Sequence, residues 1–526
     1  MRATFPVGVA TGWARVLTAF VVVVTLLWAG TEIPATAGRW IALGLSVIAV
    51  LVLLVAWRGV PLGGLVVRAL RRRDVAPGPA GAEDHRLRYT DTHVGLRAVG
   101  DELIAVLAVD GPAHVPSVFD QHRVQSAASL PIDVIADAVR QFDVTLAGID
   151  VLSVGRRRAG RAHHHYGATY SRMVGDHPAI GQRRTWCVLR MNRLDSVAAV
   201  VCRDSVAATL ATCAARLAAE LTARHLPARV LDAAALAEVD AALSAGLGPN
   251  PRPRWSAVRH DGGSLATYWV SPRDISSDTL DRIWVPDTDS TATAVQLRPA
   301  VDGAVSVGVL VRYGASTEFG EPPVTGLNPL SGRQDLGVAA ISIAAPAAAL
   351  DAPHRVLTDG EDLRAPLGAT GILLGALPSG HPLLMNLAAP GPRSSAAVTV
   401  AGELALLIQV ALRTAAIGYQ VLVVSRRPQR WRDATATGLR VLDGVPAELP
   451  DDGRGVAVFY DLLDAPPGPA AAISVRLVAP GSASVADVHL EQESASSAVI
   501  RTAEFTHRVI IDVEPERNVS SPRRAA

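Results

Sequence analysis

Lysine is absent from this sequence, so all 50 basic residues are arginine. Without lysine there is no Schiff-base amine and no phosphate-contacting lysine of a P-loop, and two large groups of enzyme chemistry are excluded. Cysteine is nearly absent as well. Cys187, Cys202 and Cys213 are too few, too closely grouped and odd in number for a disulfide framework, and they fit a reducing compartment as small apolar core residues. Neither sign of charge prevails, with 50 basic against 49 acidic residues, which argues against a chain-wide nucleic-acid surface. What is abundant is apolar: 49% of the 526 residues, more than disordered or fibrous chains carry. The length accommodates two or three domains of ~100–200 residues each.

Residues 16–31 and 40–57 are two uncharged apolar runs divided by a short loop from Glu32 to Arg39. At 1.5 Å per residue the second run reaches ~27 Å, close to a hydrocarbon core of ~30 Å. Trp13, Trp28, Trp40 and Trp57 stand near the ends of the runs, where indoles favour the membrane interface. Arg2 and Arg15 precede the pair, and Arg58, Arg68, Arg71, Arg72 and Arg73 follow it. This distribution predicts a transmembrane hairpin over residues 1–75 in the inner membrane, two spans with both termini and the main body cytoplasmic. The cluster at 68–73 is expected to meet anionic lipid headgroups rather than nucleic acid. A rival reading takes Pro34-Ala35-Thr36-Ala37 as a signal-peptide cleavage site, although the second run would still anchor the protein.

Behind the hairpin, alternating strand and helix patterns predict α/β or α+β cytoplasmic domains. A Pro/Gly/Ala linker at 76–84 leads into a first domain over 85–245. It carries a hairpin around Gly100-Asp101, a helical start at Asp133, strands near 149–155 and 185–191, and an alanine-rich helix at 205–225. The Pro-rich stretch 246–254 reads as an internal boundary. A second region, 255–513, ends in a βαβ unit with strands at 395–401 and 420–425 around a helix at 403–418, and 456–460 reads as a further parallel strand. The tail 514–526 is polar and reads as loose.

Candidate chemistry is sparse. The βαβ turn Ala401-Gly402-Glu403 lacks the glycine-rich loop, lysine and hydroxyl of a phosphate site, and Glu403 would repel phosphate; Asp461, ending an apolar strand, resembles a magnesium-supporting aspartate. Asp287 and Asp289 have the Asp-x-Asp spacing by which glycosyltransferases hold a metal and sugar diphosphate, set against a plain solvated turn. His163, His164 and His165, with His177 nearby, could attract a transition metal, but consecutive imidazoles do not converge from regular structure, and a flexible basic loop over 156–172 reads better. Asp133 and Asp137 share a helix face as an acid/base pair or as aspartates favoured near a helix start. No catalytic, cofactor-binding or metal-binding residue is assigned from these patterns, no cofactor is implied, and the chain reads as non-enzymatic.

The two apolar runs, the basic segment, the stretch LPIDVIADAVRQFDVTLAGIDVLSVGRR from Leu130 to Arg157 and TWCVLRMN from Thr185 to Asn192 together resemble the EccE family of actinobacterial type VII (ESX) secretion systems. GATGILLGALPSGHPLLMNL from Gly368 and ALRTAAIGYQVLVVSRRPQRW from Ala411 resemble that family's end region. The resemblance implies a structural subunit of the inner-membrane export complex, assembled with EccB, EccC and EccD components, of which the FtsK-like EccC supplies ATP hydrolysis. The alternatives are a membrane-anchored transferase using Asp287 and Asp289, or a degenerate nucleotide-binding protein using the turn at Gly402. Residues 246–362 match the family least clearly. Small residues Gly44 and Ser46 on the second run are expected to admit a neighbouring helix, and Asp137 and Arg140 to form a docking face beside core positions Val134, Ile135 and Val139.

Overall fold

The computed structural model describes residues 7–9, 13–32, 36–57, 60–61, 81–88, 91–120, 123–159, 166–196, 203–347, 350–391, 394–435, 439–446, 448–450, 455–461, 471–482, 485–512 and 516. The apolar N-terminus forms helices α1 (Trp13–Glu32) and α2 (Thr36–Leu54), which lie against each other through small residues. Ala19, Gly30, Gly38, Ala42 and Ser46 are buried between them, and a Cβ on Gly30 would stand 2.4 Å from the Ala42 Cβ. Small side chains let the two helix backbones approach closely. The outer surface is apolar, with Leu17, Phe20, Trp28, Trp40, Ile41 and Ile48 exposed.

The second helix stops short of the apolar run that predicts it. Val55–Trp57 is a strand, paired with Val7–Val9 and with Val60–Pro61 in a small sheet at the open end of the hairpin. Val55 faces Val9 across that ladder, and β-branched residues favour extended backbone once a partner strand is present. By length and composition, one described helix is long and apolar enough to cross a membrane, α3 (Val206–Ala223). It buries Leu210, Ala214, Leu217 and Leu221 in the protein core. The N-terminal helices carry shorter apolar stretches, Val16–Glu32 and Gly38–Leu54.

The body is a mixed α and β assembly built on two sheets. The first is antiparallel, and its long strands in chain order are β1 (His93–Val99), β2 (Glu102–Val109), β3 (Gly148–Arg156), β4 (Gln182–Asn192), β5 (Gly263–Val270), β6 (Ser290–Pro299) and β7 (Val305–Ala315). Their spatial order is β5-β7-β6-β3-β4-β2-β1. The run Ile104-Ala-Val-Leu-Ala-Val109 is buried on both faces. Ala105, Leu107 and Val109 share a core with Leu210 and Leu217 of α3, and Ile104, Val106 and Ala108 share another with Leu236 and Val239 of α4 (Ala233–Ser244). Each helix starts on an N-cap: Ser205 Oγ accepts from the Ala208 amide at 3.0 Å and Asp232 Oδ1 from Ala235 at 2.8 Å, satisfying amides that no helical turn can.

The second sheet joins a parallel block to an antiparallel one. β8 (Ala396–Ala401), β9 (Gln420–Ser425), β10 (Val456–Asp461), β11 (Ile473–Val478) and β12 (Val488–Ser494) run parallel in the order β9-β10-β11-β8-β12, and α5 (Leu404–Ala416) crosses from β8 to β9. Ser497–Arg501, Thr506–Ile510, Ile372–Ala376, Pro382–Met385, Pro116–Asp120 and Arg123–Ser126 extend it antiparallel.

Strand pairing crosses the Pro-rich stretch 246–254, read from the sequence as a boundary. β3 lies directly beside β6, with Val151 facing Val295, so strands from both sides of the Pro-rich stretch are central neighbours in one sheet. Arg252–Pro253 is itself a short strand at the sheet edge, a place where a missing proline amide costs no ladder bond. Strands within residues 116–126 pair into the second sheet, where Ser117 faces Leu384. The two sheets meet closely: the Ala159 amide donates to the Ala416 carbonyl at 2.6 Å, and a Cβ on Gly181 would stand 2.4 Å from the Ile417 Cβ.

Candidate functional site

Arg158, just past the end of β3, reaches the Asp-x-Asp turn that follows Trp284. Its Nε donates to Asp287 Oδ1 at 2.8 Å and its Nη1 to Asp289 Oδ1 at 3.4 Å. The guanidinium is buried while both carboxylates are partly open to solvent. A fixed cation therefore bridges the two carboxylates, and Thr288 Oγ1 is engaged with Thr291 Oγ1 at 2.8 Å. The pair is an anchor for the β3 end.

The strand-to-helix turn at Gly402 is closed in a similar way. The Glu403 amide, which would face a phosphate, donates to Gln492 Oε1 at 2.8 Å. A Cβ on Gly402 would stand 2.7 Å from the Gln492 Cβ, so glycine serves here to admit β12. Asp461 at the end of β10 is buried and accepts from Ser425 Oγ at 2.7 Å, Trp431 Nε1 at 3.1 Å and an Arg427 guanidinium nitrogen. Burial pushes its pKa up, and the bonds from Arg427, Ser425 and Trp431 outweigh that and hold it below the usual carboxylate range. Its lone pairs are committed to the protein.

The remaining sequence candidates are dispersed. Asp133 and Asp137 are both exposed; burial, then the charges of Asp133 and Glu220, raise the Asp137 carboxyl. His163, His164 and His165 lie outside the described residues, while His177 stacks on Phe119 with ring centroids 4.6 Å apart. Cys187 and Cys213 are buried and free, and burial pushes their thiols up to about 12 and about 11; Cys202 lies outside the described residues. Among the described residues no group of three or more His, Cys, Asp and Glu could hold a metal ion.

Described residues within the segments 156–172 and 514–526 make buried contacts. Within 156–172, Arg157 is buried and donates to the His177 carbonyl at 2.8 Å and the Val285 carbonyl at 2.6 Å, and Gly167–Val174 is a helix. Within 514–526, Glu516 is buried. Its Oε1 accepts from Arg413 Nε at 2.8 Å and from the Tyr166 hydroxyl, and its Oε2 accepts from Gln409 Nε2 at 3.1 Å. Glu516 thus supplies the acid that answers Arg413 on the buried face of α5.

A further polar cluster escaped the sequence patterns. Asp150 on β3 lies 2.6 Å from Arg190 Nε and 2.7 Å from Arg298 Nη1, and Arg190 also reaches Glu102 at 3.4 Å and the Ala345 carbonyl at 2.7 Å. Burial raises the Asp150 carboxyl, and Arg298 and Arg190 together outweigh that and leave it lowered. An arginine inside the apolar strand around Val188 and Leu189 was its one legible sign.

These clusters share one character: opposite charges cancel inside the body. The EccE family model, whose description reads "Putative type VII ESX secretion system translocon, EccE", matches residues 179–270, from β4 through α3 and α4 to β5. The chain is 34% identical over 392 residues to the ESX-5 secretion system protein EccE5 of Mycobacterium marinum, covering 70% of this chain and 97% of that protein. This chain belongs to the EccE family. The EccE5 protein of Mycobacterium tuberculosis is likewise 34% identical, over 70% of this chain and 97% of its own length. The ESX-2 secretion system protein EccE2 of Mycobacterium tuberculosis is 27% identical over 84% of this chain and 83% of its own. The part matched by the EccE model supplies β4, at the centre of the first sheet, together with both helices that cover β2.

Proposed function

We propose that this EccE protein is a non-enzymatic structural subunit of a type VII (ESX) secretion membrane complex. The observation that supports the reading is that three carboxylates suited to metal chemistry are held by the protein itself: Arg158 holds Asp287 and Asp289, while Arg427, Ser425 and Trp431 hold Asp461. Carboxylates so engaged contribute to the stability of the fold. In this reading α1 and α2 span the inner membrane as a hairpin, since their exposed surface is apolar and their small residues face each other. Both termini and the body lie in the cytoplasm, following the arginine asymmetry. The partners are subunits of the EccB, EccC and EccD type and membrane lipid, with no role for nucleic acid.

Recovery of the tagged full chain from mild-detergent membranes tests the reading. Co-purification of other secretion components is the expected result; recovery of the chain alone from cells making the whole system overturns it. A reporter fused after Ala526 should be active only as a cytoplasmic reporter, and periplasmic activity there would reverse the topology.

A further inference from the structure

Most buried arginines in this protein have an answering group. Arg97 has Asp240 at 2.7 Å, Arg158 has Asp287, Arg190 and Arg298 have Asp150, and Arg413 has Glu516. Arg157 is surrounded by carbonyl oxygens, and Arg183 lies over the Trp284 ring, 4.3 Å from its centroid. Arg312 on β7 differs. It is only 3% exposed, and among the described residues no carboxylate pairs with it. Its Nη2 donates to the Leu243 carbonyl, and its Nε and Nη1, unlike those of Arg97, are not sealed from solvent, so that edge of the guanidinium opens on its surroundings. Burial pulls its pKa down to about 10, so it stays charged at neutral pH.

Arg312 lines a cleft of about 320 Å³ between α4 and the helix Gln334–Ala340, above the first sheet. Ala241, Leu247, Val338 and Ile341 supply apolar walls. Asp240 also borders it, but is engaged by Arg97. A buried charge without a partner is costly unless something neutralises it. We propose that this cleft binds an aliphatic carboxylate, its anionic end on the free edge of the Arg312 guanidinium and its apolar end against Leu247, Val338 and Ile341. A planar carboxylate matches a guanidinium edge through two parallel hydrogen bonds. A phosphate dianion fits less well, because one guanidinium carries one charge and the Asp240 carboxylate stands in the same cleft. The carboxylate belongs either to a small free acid or to the C-terminus of a polypeptide ending in an apolar residue.

Titration of the full chain in detergent with hexanoate, 1-hexanol and hexyl phosphate tests the assignment by calorimetry. Hexanoate should bind and raise Tm, as a ligand selective for the folded state must; 1-hexanol and hexyl phosphate should bind at least about 10-fold more weakly, the scale of a lost charge-assisted bond. Arg312→Gln should weaken hexanoate by a similar factor while leaving the unliganded Tm unchanged or higher, because it removes an unpaired buried charge. A lower Tm without any loss of hexanoate binding assigns Arg312 a purely structural role and overturns the proposal. If Arg312→Gln does not fold, Ala241→Trp, which fills the cleft from its rim and leaves Arg312 in place, should abolish binding. No binding to the unaltered protein, or equal binding of hexanoate and 1-hexanol, refutes the site. A tripeptide ending in leucine that outcompetes hexanoate with a free carboxylate, and not as its amide, identifies a polypeptide C-terminus as the source; weaker binding than hexanoate identifies a free acid.

Discussion

Arg413 and Glu516 meet with Nε and Oε1 2.8 Å apart, both buried, although 103 residues separate them. Replacing Glu516 by alanine leaves the arginine charged, buried and without its acid, a change that costs about 3–5 kcal/mol in comparable pairs. Urea unfolding of the purified full chain should show that loss. A second substitution, Arg413→Met in the Glu516→Ala background, should recover part of it, and failure to recover any would mean that the acid acts through Tyr166 and Gln409 instead.

Acid should undo the buried aspartates. Asp150 and Asp461 have folded-state pKa values below the ordinary carboxylate value of 3.8, so on acidification the unfolded chain takes up protons first. Their contribution is therefore fully present above the unfolded pKa and is lost as pH falls through the folded one. Tm measured from pH 7 to pH 3 should drop steeply below about pH 4, and Asp461→Asn should flatten that drop while lowering Tm at pH 7. Parallel curves for the two proteins would exclude Asp461 from the acid transition.

Gly30 and Gly44 should respond oppositely to enlargement. Valine at Gly30 drives a Cβ to 2.4 Å from the Ala42 Cβ, whereas nothing lies within 4 Å of a Cβ at Gly44. Gly30→Val should lower the Tm of the detergent-solubilised chain, by an overpacking cost of about 1–3 kcal/mol, and Gly44→Val should leave it unchanged. Reduced recovery of secretion partners with Gly44→Val alone would place a neighbouring helix on that open face. Ser46, by contrast, is buried within the hairpin, its hydroxyl donating to the Ala42 carbonyl at 2.8 Å, and is unavailable to a partner.

Reversing Arg140 to glutamate should reduce recovery of the secretion complex without changing Tm. Arg140 and Asp137 are exposed, and Val134, Ile135 and Val139 beneath them are buried. Unchanged recovery would leave this face to solvent.

Substituting Asp287 and Asp289 by asparagine keeps an oxygen acceptor for the buried Arg158 but removes its countercharge, and should cost about 1 kcal/mol, yet preserve export in proportion to protein abundance. Loss of export at normal abundance would restore a metal-dependent role to the pair.

Local pattern carried the elements further than their partners. Apolar alternation near 149–155 and 185–191 corresponds to β3 and β4, and the alanine-rich stretch to α3. The helix at 403–418 and the strand at 456–460 likewise match α5 and β10. Pairing is different in kind: Val151 is apolar whichever strand it faces, and nothing near it in the chain indicates Val295. The prolines of 246–254 interrupt a ladder in the sequence, but at a sheet edge there is no ladder bond to interrupt. The same gap separates Asp287 and Asp289, visible as a motif, from Arg158, which decides their chemistry from 129 residues away.

The strands at 116–126 impose an order on biosynthesis. Ser117 and Val118 emerge early from the ribosome, yet their ladder partners Leu384 and Leu383 are made far later. Long-range pairing of this kind pays loop-closure entropy before any contact rewards it. The nascent chain must keep an open sheet edge waiting until the second half arrives. A chaperone, or an early-arriving neighbour that shields this edge, would then govern the yield of folded protein more than the stability of the finished fold.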